Sequence, residues 1–328
     1  MSKEIRLIFS TLLLAFAAVN ISYGWGNVGH MAVAGAAYNR LTAKVRKRAD
    51  ALIQLNPKFH EWEQKIPGGT SPSRKAMMLF MIAATWADQI KGDHQHVPDG
   101  PDGGNRPPTD GTAERNTGYG DSALHKYWHF IDMPFSSDGT ATQNPDNPNA
   151  RTQIAAFRSV ISSNAADPLK SYDLVWLLHL VGDIHQPLHC VSRFSSTLPN
   201  GDAGGNSVLL GGIKLQGVTI KNLHSYWDDL PGVGDSNQDY VKDANAALAL
   251  VPNLPTAPAG AAANLDVAAW VNESFDAARG KAYAKLVKTA DGRFTFNAAY
   301  RSTALSTARE RVALAGARLA SILNKELK

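Results

Sequence analysis

The chain of 328 residues has little of three features on which whole classes of protein depend: cysteine, long apolar runs and charge of one sign. A single cysteine, Cys190, excludes a framework of intramolecular disulfides. A formal net charge of +4 is far below that of a dedicated duplex-DNA binder. The remaining composition, 44% hydrophobic and 19% charged, is that of an ordinary globular protein with enough length to bury a core.

The most apolar run of the chain, Leu7–Val19, lies close to its start. It has about 13 residues, whereas a helix needs about 20 to span a bilayer. A basic start precedes it, and small residues follow it up to Gly24, as in a site that signal peptidase cleaves. We therefore expect a secreted or periplasmic protein without a membrane partner. The predicted units are a signal peptide over residues 1–24 and a mature domain over residues 25–328.

Hydrophobic periodicity predicts an all-α protein. Helices are expected over Trp25–Asn39, after a cap at Thr42, and over Ser73–Ile90, Arg151–Asn164, Asp173–Gln186, Ala262–Thr289 and Ala298–Lys325. Residues Asn206–Ile220 predict a small β-hairpin with its turn at Gly211-Gly212, and Gly92–Gly120 predicts a long surface loop. No repeat or linker divides the chain into two cores. The prediction is a single mainly helical domain.

Two pairs of residues with the spacing His-x-x-x-Asp stand out. His179 precedes Asp183, and His224 precedes Asp228, by one helical turn, so that each pair lies on one face of a helix. His189 follows a proline that should end the first of these helices. One such pair is more often a hydrogen-bonded pair or a surface pair than a metal site. Two pairs and a further imidazole predict zinc, which prefers imidazole nitrogen and carboxylate oxygen.

Five motifs together resemble the zinc-dependent single-strand-specific nucleases of the S1/P1 type. In chain order they are Trp25-Gly26-Asn27-Val28-Gly29-His30, Trp86-Ala87-Asp88, His129-Phe130-Ile131-Asp132, residues 179–189 and residues 224–228. The resemblance implies a mainly helical fold of the phospholipase C/nuclease type, with three zinc ions at the bottom of a cleft. Eukaryotic members carry disulfides and glycans, so the single cysteine of this chain indicates a bacterial exported member.

The resemblance also implies which residues hold the three ions. The first site would use Asp88, His129, His179 and Asp183, the second His189, His224 and Asp228, and the third His30, Asp183 and the amino nitrogen and carbonyl oxygen of Trp25. A free α-amine has a pKa near ~7.7 and can therefore donate its lone pair to a metal near neutral pH. We expect activity to require cleavage before Trp25 for this reason.

The function that the resemblance implies is endonucleolytic cleavage of single-stranded DNA and RNA to 5′-phosphate products by a monomer. Removal of phosphate from 3′-mononucleotides would accompany it. Zinc would activate water for attack on the phosphodiester, Asp88 would orient or deprotonate the nucleophile, and Lys91 would neutralise charge on the phosphoryl oxygens. Phe130 would stack on a nucleobase, Asp132 would accept hydrogen bonds from the base edge, and Asn206 would lie near the phosphate.

Two other functions are compatible with the same histidines. A zinc-dependent phospholipase C belongs to the same superfamily, but the short spacing between Trp25 and His30, and Asp228 in place of glutamate, favour a nuclease. A secreted zinc-binding protein without catalysis would have no need of Asp88, Lys91 and Phe130 beside the ligands.

Besides His60, four further histidines stay outside the predicted ligand set. His94 and His96 lie in the long loop, His125 lies one turn before His129, and His185 points away from Asp183 on its helix. A solvated loop is the simpler interpretation of His94 and His96. His125 is either a substitute ligand or a support for one, and His185 is either structural or a support for a ligand.

Overall fold

The computed structural model describes residues 24–327, so the predicted signal peptide lies outside the described residues except for Gly24. The helices are α1 (Asn27–Tyr38), α2 (Ala43–Ile53), α3 (Phe59–Lys65), α4 (Pro72–Ala83), α5 (Trp86–Gln89), α6 (Pro101–Gly104), α7 (Ala150–Ser162), α8 (Asp167–Asp183), α9 (Leu223–Asp228), α10 (Tyr240–Leu250), α11 (Ala259–Ala263), α12 (Val267–Ala277) and α13 (Ala298–Glu326). In residues 24–327 we find no helix with the length and apolar character needed to cross a membrane.

The strands form three pairs. They are β1 (Pro134–Ser136) with β2 (Ser192–Phe194), which run parallel, and the antiparallel pairs β3 (Lys214–Leu215) with β4 (Val218–Thr219) and β5 (Val287–Lys288) with β6 (Phe294–Thr295). The mainly helical fold is thereby confirmed.

Helix α8 forms the centre of the core. All its residues from Lys170 to Asp183 are buried, and α1, α2, α7 and α13 pack around it. A helix that is apolar on every side is expected inside a protein. His179 and Asp183 are therefore held where water does not reach them, and such groups must find partners within the protein.

Helix α1 crosses α13 at close range. A Cβ atom added at Gly316 of α13 would lie 2.7 Å from the Ala36 Cβ and 3.0 Å from the Val33 carbonyl oxygen of α1. Glycine is thus required for this approach of the two backbones. The crossing holds α1, with His30 in its first turn, firmly against the core.

Four predicted helices, α1, α2, α7 and α13, lie nearly where they were expected. The Thr42 hydroxyl accepts a hydrogen bond from the Val45 amide at 3.3 Å, which confirms the predicted cap of α2. The predicted start of α8 at Asp173 was wrong by six residues, because Pro168 lies in the first turn of the helix, where no amide hydrogen is needed.

The prediction of one helix over residues 73–90 was wrong in a way that matters for the site. Helix α4 ends at Ala83 and α5 starts at Trp86. The Asp88 amide donates to the Thr85 carbonyl at 3.1 Å rather than to Ala84. The Ala84 carbonyl oxygen is consequently available to a side chain.

Two predictions in the second half of the chain were also wrong. The helix expected over residues 262–289 is broken: α12 ends at Ala277, a π-helical turn covers Ala278–Ala282, and β5 follows. The hairpin exists, but its turn is at Gln216-Gly217, where φ is 47° and 86°. Two successive residues with positive φ match the twist of a hairpin, whereas Gly211-Gly212 lies within one arm.

Residues 92–120 form a long connection with only short helical turns, as predicted. Its first part is fastened to buried residues just before His129, because the Asp99 carboxylate accepts a hydrogen bond from the His125 amide at 2.9 Å and one from the Tyr127 hydroxyl at 2.6 Å. This connection starts directly after Lys91 and ends a few residues before His129.

Candidate metal centre

Eight predicted ligand side chains converge from six parts of the chain. His30 comes from α1, Asp88 from α5, His129 from the 3₁₀ turn Lys126–His129, His179 and Asp183 from α8, His189 from the 3₁₀ turn Pro187–Cys190, and His224 and Asp228 from α9. All eight side chains are buried. Their ligating atoms form three groups suited to a metal ion: His30 with Asp88 and His179, His129 with His179 and Asp183, and His189 with His224 and Asp228.

The Asp183 carboxylate lies at the centre of the cluster. Its Oδ2 is 3.0 Å from His129 Nδ1 and 3.2 Å from His179 Nε2. Its Oδ1 is 3.3 Å from His30 Nε2 and 3.7 Å from His189 Nδ1. One carboxylate thus faces four imidazoles, which is the arrangement expected of a group that bridges two metal sites.

Backbone carbonyls fix the orientation of three imidazoles. Nδ1 of His179 donates to the Ala84 carbonyl at 2.8 Å, and Nδ1 of His189 donates to the His129 carbonyl at 2.7 Å. Nδ1 of His224 donates to the Gly204 carbonyl at 2.8 Å. Gly204 has φ +60°, and a Cβ there would overlap the Leu188 carbonyl oxygen. Glycine is therefore needed at position 204 to present its own carbonyl to His224. Because Nδ1 carries the hydrogen in these rings, Nε2 carries a lone pair.

Two of those lone pairs face each other. His189 Nε2 and His224 Nε2 are 3.1 Å apart, and with both hydrogens on Nδ1 there is none between the two nitrogens. Both nitrogens of His30, Nε2 of His129 and Oδ1 of Asp183 are buried without a hydrogen-bond partner. Buried polar atoms of this kind require a partner. A cation at the centre of each group would satisfy them, and the residues therefore fit a metal.

Lys91 controls the charge state of Asp88. Its Nζ is 2.7 Å from Asp88 Oδ1, and both side chains are buried. Burial alone would raise the pKa of Asp88, but the Lys91 ammonium and the imidazoles of His179 and His129 outweigh it and lower this pKa to about 2. The carboxylate is therefore ionised throughout the neutral and mildly acidic range.

The histidines divide into two kinds. Burial, followed by repulsion from His179, lowers the pKa of His30 to about 4, and burial with repulsion from Lys91 lowers that of His129 to about 3. These two rings are neutral at neutral pH and can ligate without releasing a proton. Burial also opposes the charged form of His179, but Asp183 and Asp88 outweigh it and raise its pKa.

The predicted amino-terminal ligand lies beside the cluster. Trp25 is fully buried. A Cβ atom at Gly24 would overlap Asp183 Oδ1 and lie 2.8 Å from His30 Nε2. The backbone immediately before Trp25 thus occupies the space between two of the predicted ligands of the third site.

A cleft of about 460 Å³ adjoins the cluster. Asp88, His224 and Asp228 form part of its lining, and residues 218–222 and 233–236 contribute walls. Asn206, a predicted substrate contact, also lines it. Its amide donates to the Ala203 carbonyl at 2.8 Å and accepts from Asn222 at 3.4 Å.

The two residues of the predicted base pocket lie on the segment that leaves the cluster after His129. The Ile131 amide donates to the His189 carbonyl at 2.8 Å, which holds this segment against the second metal group. Phe130 and Asp132 are half-buried. Burial, with repulsion from Asp202, raises the pKa of Asp132 to about 7.

The remaining histidines have other roles in the structure. His125 Nδ1 is 2.7 Å from Asp99 Oδ2, and its ring stacks on Trp128 at 3.6 Å. His185 donates to the Val181 carbonyl at 2.8 Å and accepts from Arg318 at 2.9 Å. The described chain places neither of them, nor His94 and His96, in the three groups above.

The predictions missed the groups that support the ligands. The Gln186 amide donates to Asp228 Oδ1 at 2.6 Å and orients that carboxylate. The sequence did contain a signal for this role of Gln186, because the residue lies between two histidines of the motif 179–189. The carbonyls of Ala84 and Gly204 had no such signal, because every residue carries one.

These observations define a mainly helical protein whose histidines and aspartates are arranged to hold metal ions beside an open cleft. The S1/P1 Nuclease family model matches residues 25–328, and the chain belongs to this family. It is 28% identical to Nuclease S1 of Aspergillus oryzae over 237 residues, which cover 70% of this chain and 60% of that protein. It is 26% identical to Endonuclease 2 of Arabidopsis thaliana over 235 residues, 69% of this chain and 61% of that protein. The predicted family is confirmed, although the match spans about three fifths of each relative.

Proposed function

We propose that this protein is a zinc-dependent endonuclease that cleaves single-stranded DNA and RNA to 5′-phosphate products and hydrolyses 3′-mononucleotides. The observation that carries the proposal is the convergence of five imidazoles and three carboxylates in one buried cluster, next to an open cleft, in a member of the S1/P1 nuclease family. We further propose that the enzyme is a monomer exported after cleavage before Trp25.

Three zinc ions would be held by this centre. Asp88, His129, His179 and Asp183 would hold the first, His189, His224 and Asp228 the second, and His30, Asp183 and the Trp25 terminus the third. Zinc at these positions would supply a Lewis acid for phosphodiester hydrolysis.

The low pKa of Asp88 indicates how this residue would act. A carboxylate with a pKa of about 2 is a weak base, so orienting the attacking water suits it better than removing a proton from it. The Lys91 ammonium, held 2.7 Å from Asp88, would place a positive charge beside the phosphoryl oxygens where negative charge develops.

Recognition of an unpaired strand would fall to the segment after His129. A half-buried aromatic ring at Phe130 can stack on any base, but only on one that is already unstacked from its neighbours. Asp132 would bind the base edge. With a pKa of about 7 it changes near neutral pH from an acid that donates a hydrogen bond to an ion that only accepts.

The test is an assay of the processed protein on denatured DNA and RNA, beside native duplex DNA and phosphatidylcholine. We expect acid-soluble nucleotides from the single strands, little product from duplex DNA and no phosphorylcholine. A chelator should abolish the activity, and zinc should restore it. Release of phosphorylcholine without nucleotides would contradict the proposal in favour of a phospholipase, and zinc-loaded protein that is inert on every phosphoester would indicate a binding protein.

Replacing Phe130 by alanine is expected to weaken substrate binding without loss of zinc. Stacking of one base contributes about 1–3 kcal/mol, so KM for a short single strand should rise by about fivefold to 150-fold. Steady-state kinetics and metal content measure the two effects. Phe130→Tyr keeps the ring and is the matched control. If both variants behave as the wild type, the base pocket lies elsewhere.

A further inference from the structure

Positive charge is concentrated in two segments outside the metal centre. Residues 206–222 and 277–301 together contain eight lysines and arginines and one acidic residue, a net charge of +7, whereas the whole chain has +4. The rest of the chain is therefore net negative. All eight cationic residues are exposed. We call these eight side chains the basic strip.

One end of the basic strip lies at the cleft. Lys221 lines the cleft, and its carbonyl accepts from the Leu210 amide at 2.8 Å. The neighbouring Leu209 carbonyl accepts from the Phe294 amide of β6 at 2.8 Å. Since β6 pairs with β5, which carries Lys288, a continuous series of backbone hydrogen bonds leads from the cleft to the hairpin β5–β6.

The other end lies near the segment of the predicted base pocket. The Arg279 guanidinium is 5.6 Å from the centre of the Phe135 ring, which is three residues beyond Asp132. The Tyr283 ring packs on Phe135 at 5.4 Å. Residues 277–301 therefore extend between this segment and the wall of the cleft that carries Lys221.

Little within the protein neutralises the basic strip. Arg293 faces Asp291 at 3.6 Å, and Arg301 donates to the Lys214 carbonyl at 3.3 Å. Among residues 24–327, none of the five lysines of the strip forms an ion pair with an acidic side chain. A row of exposed cations that continues a cleft, most of them without an acidic partner in the described chain, is suited to a polyanion.

We propose that the basic strip binds the phosphate backbone of a single-stranded polynucleotide on either side of the bond to be cleaved. This inference rests on the proposed function and extends it, because it identifies long strands as the favoured substrates. A dinucleotide has one phosphate, which would lie at the metal centre. No phosphate is then left to contact the basic strip. A long strand gains a contact for each further phosphate that meets a cation.

The test compares the triple variant Lys281→Gln, Lys285→Gln, Lys288→Gln with a control that loses the same charge elsewhere: Lys44→Gln, Lys47→Gln, Lys325→Gln. The control residues are exposed on α2 and at the end of α13, which adjoin one another through a hydrogen bond from the Thr42 amide to Asn324 at 2.9 Å. Both zinc-loaded proteins are assayed on a dinucleotide and on a single strand of about 30 nucleotides.

For the strip variant we expect kcat/KM on the long strand to fall about tenfold at low salt. The slope of log kcat/KM against log salt should become shallower by about 2, since each lost phosphate contact on a single strand contributes about 0.7. Activity on the dinucleotide should stay within about twofold of the wild type, and the control should match the wild type on both substrates.

Equal losses in the two triple variants, or equal losses on the two substrates, would overturn the role of the strip. So would unchanged cleavage of the long strand together with lost binding to vesicles of phosphatidylglycerol, which would identify a membrane surface instead. A wild-type enzyme that cleaves no nucleic acid would overturn the proposed function itself, and the dinucleotide assay separates this outcome from the others.

Discussion

A His179→Ala variant is expected to lose zinc, nuclease activity and stability together. The imidazole is fully buried, with Nε2 3.0 Å from His129 Nδ1 and 3.2 Å from Asp183 Oδ2. Its removal takes a ligand from two of the three groups and leaves the Ala84 carbonyl without its donor. We expect kcat/KM to fall by at least about a thousandfold. The free energy of unfolding should fall by about 2–4 kcal/mol, with a further loss from unbound metal.

Metal content, kinetics and thermal unfolding with and without a chelator measure these effects. A chelator should lower the Tm of the wild type by more than the Tm of His179→Ala, because the variant has already lost the metal that His179 helps to hold. His185→Gln is the matched control: it is equally buried but bonded to Val181 and Arg318, and should lose stability while keeping zinc. Full zinc content in His179→Ala would refute its assignment as a ligand.

A protein with one residue left before Trp25 is expected to lose one zinc ion and most of its activity. The space before Trp25 is bounded by Asp183 Oδ1 and His30 Nε2. A Cβ atom at position 24 would overlap the former and lie 2.8 Å from the latter. An additional residue also converts the α-amine into an amide, which cannot donate a lone pair to metal. We expect a loss of at least about a hundredfold in kcat/KM.

Two preparations test this expectation, one released by a protease so that it starts at Trp25 and one that starts with an alanine before it. Trimming the longer form with an aminopeptidase should restore both the zinc content and the activity, and this recovery separates ligand loss from misfolding. Equal metal content and equal rates in the two untrimmed preparations would show that the terminus is not part of the centre.

Local spacing predicted the parts of the site that lie within single elements. The spacing His-x-x-x-Asp placed His179 3.2 Å from Asp183 and His224 3.5 Å from Asp228, because residues four apart lie on one helical face. Helices that begin at a clear capping residue, such as α2 after Thr42, were also predictable. Helix ends were less predictable where tertiary contacts decide them. At Ala84, for example, the carbonyl accepts a hydrogen bond from His179 instead of one from the next helical turn.

The sequence by itself determined the family, the helical fold class and the residue types of the candidate metal centre, because motifs and periodicity are local properties of a chain. Only the tertiary structure decided which atoms face each other: Asp183 toward four imidazoles, Gln186 toward Asp228, and the position before Trp25 toward His30. It also joined two basic segments far apart in sequence into one strip beside the cleft. These contacts arise from the packing of distant elements, whose relative positions follow from burial and steric fit rather than from spacing along the chain.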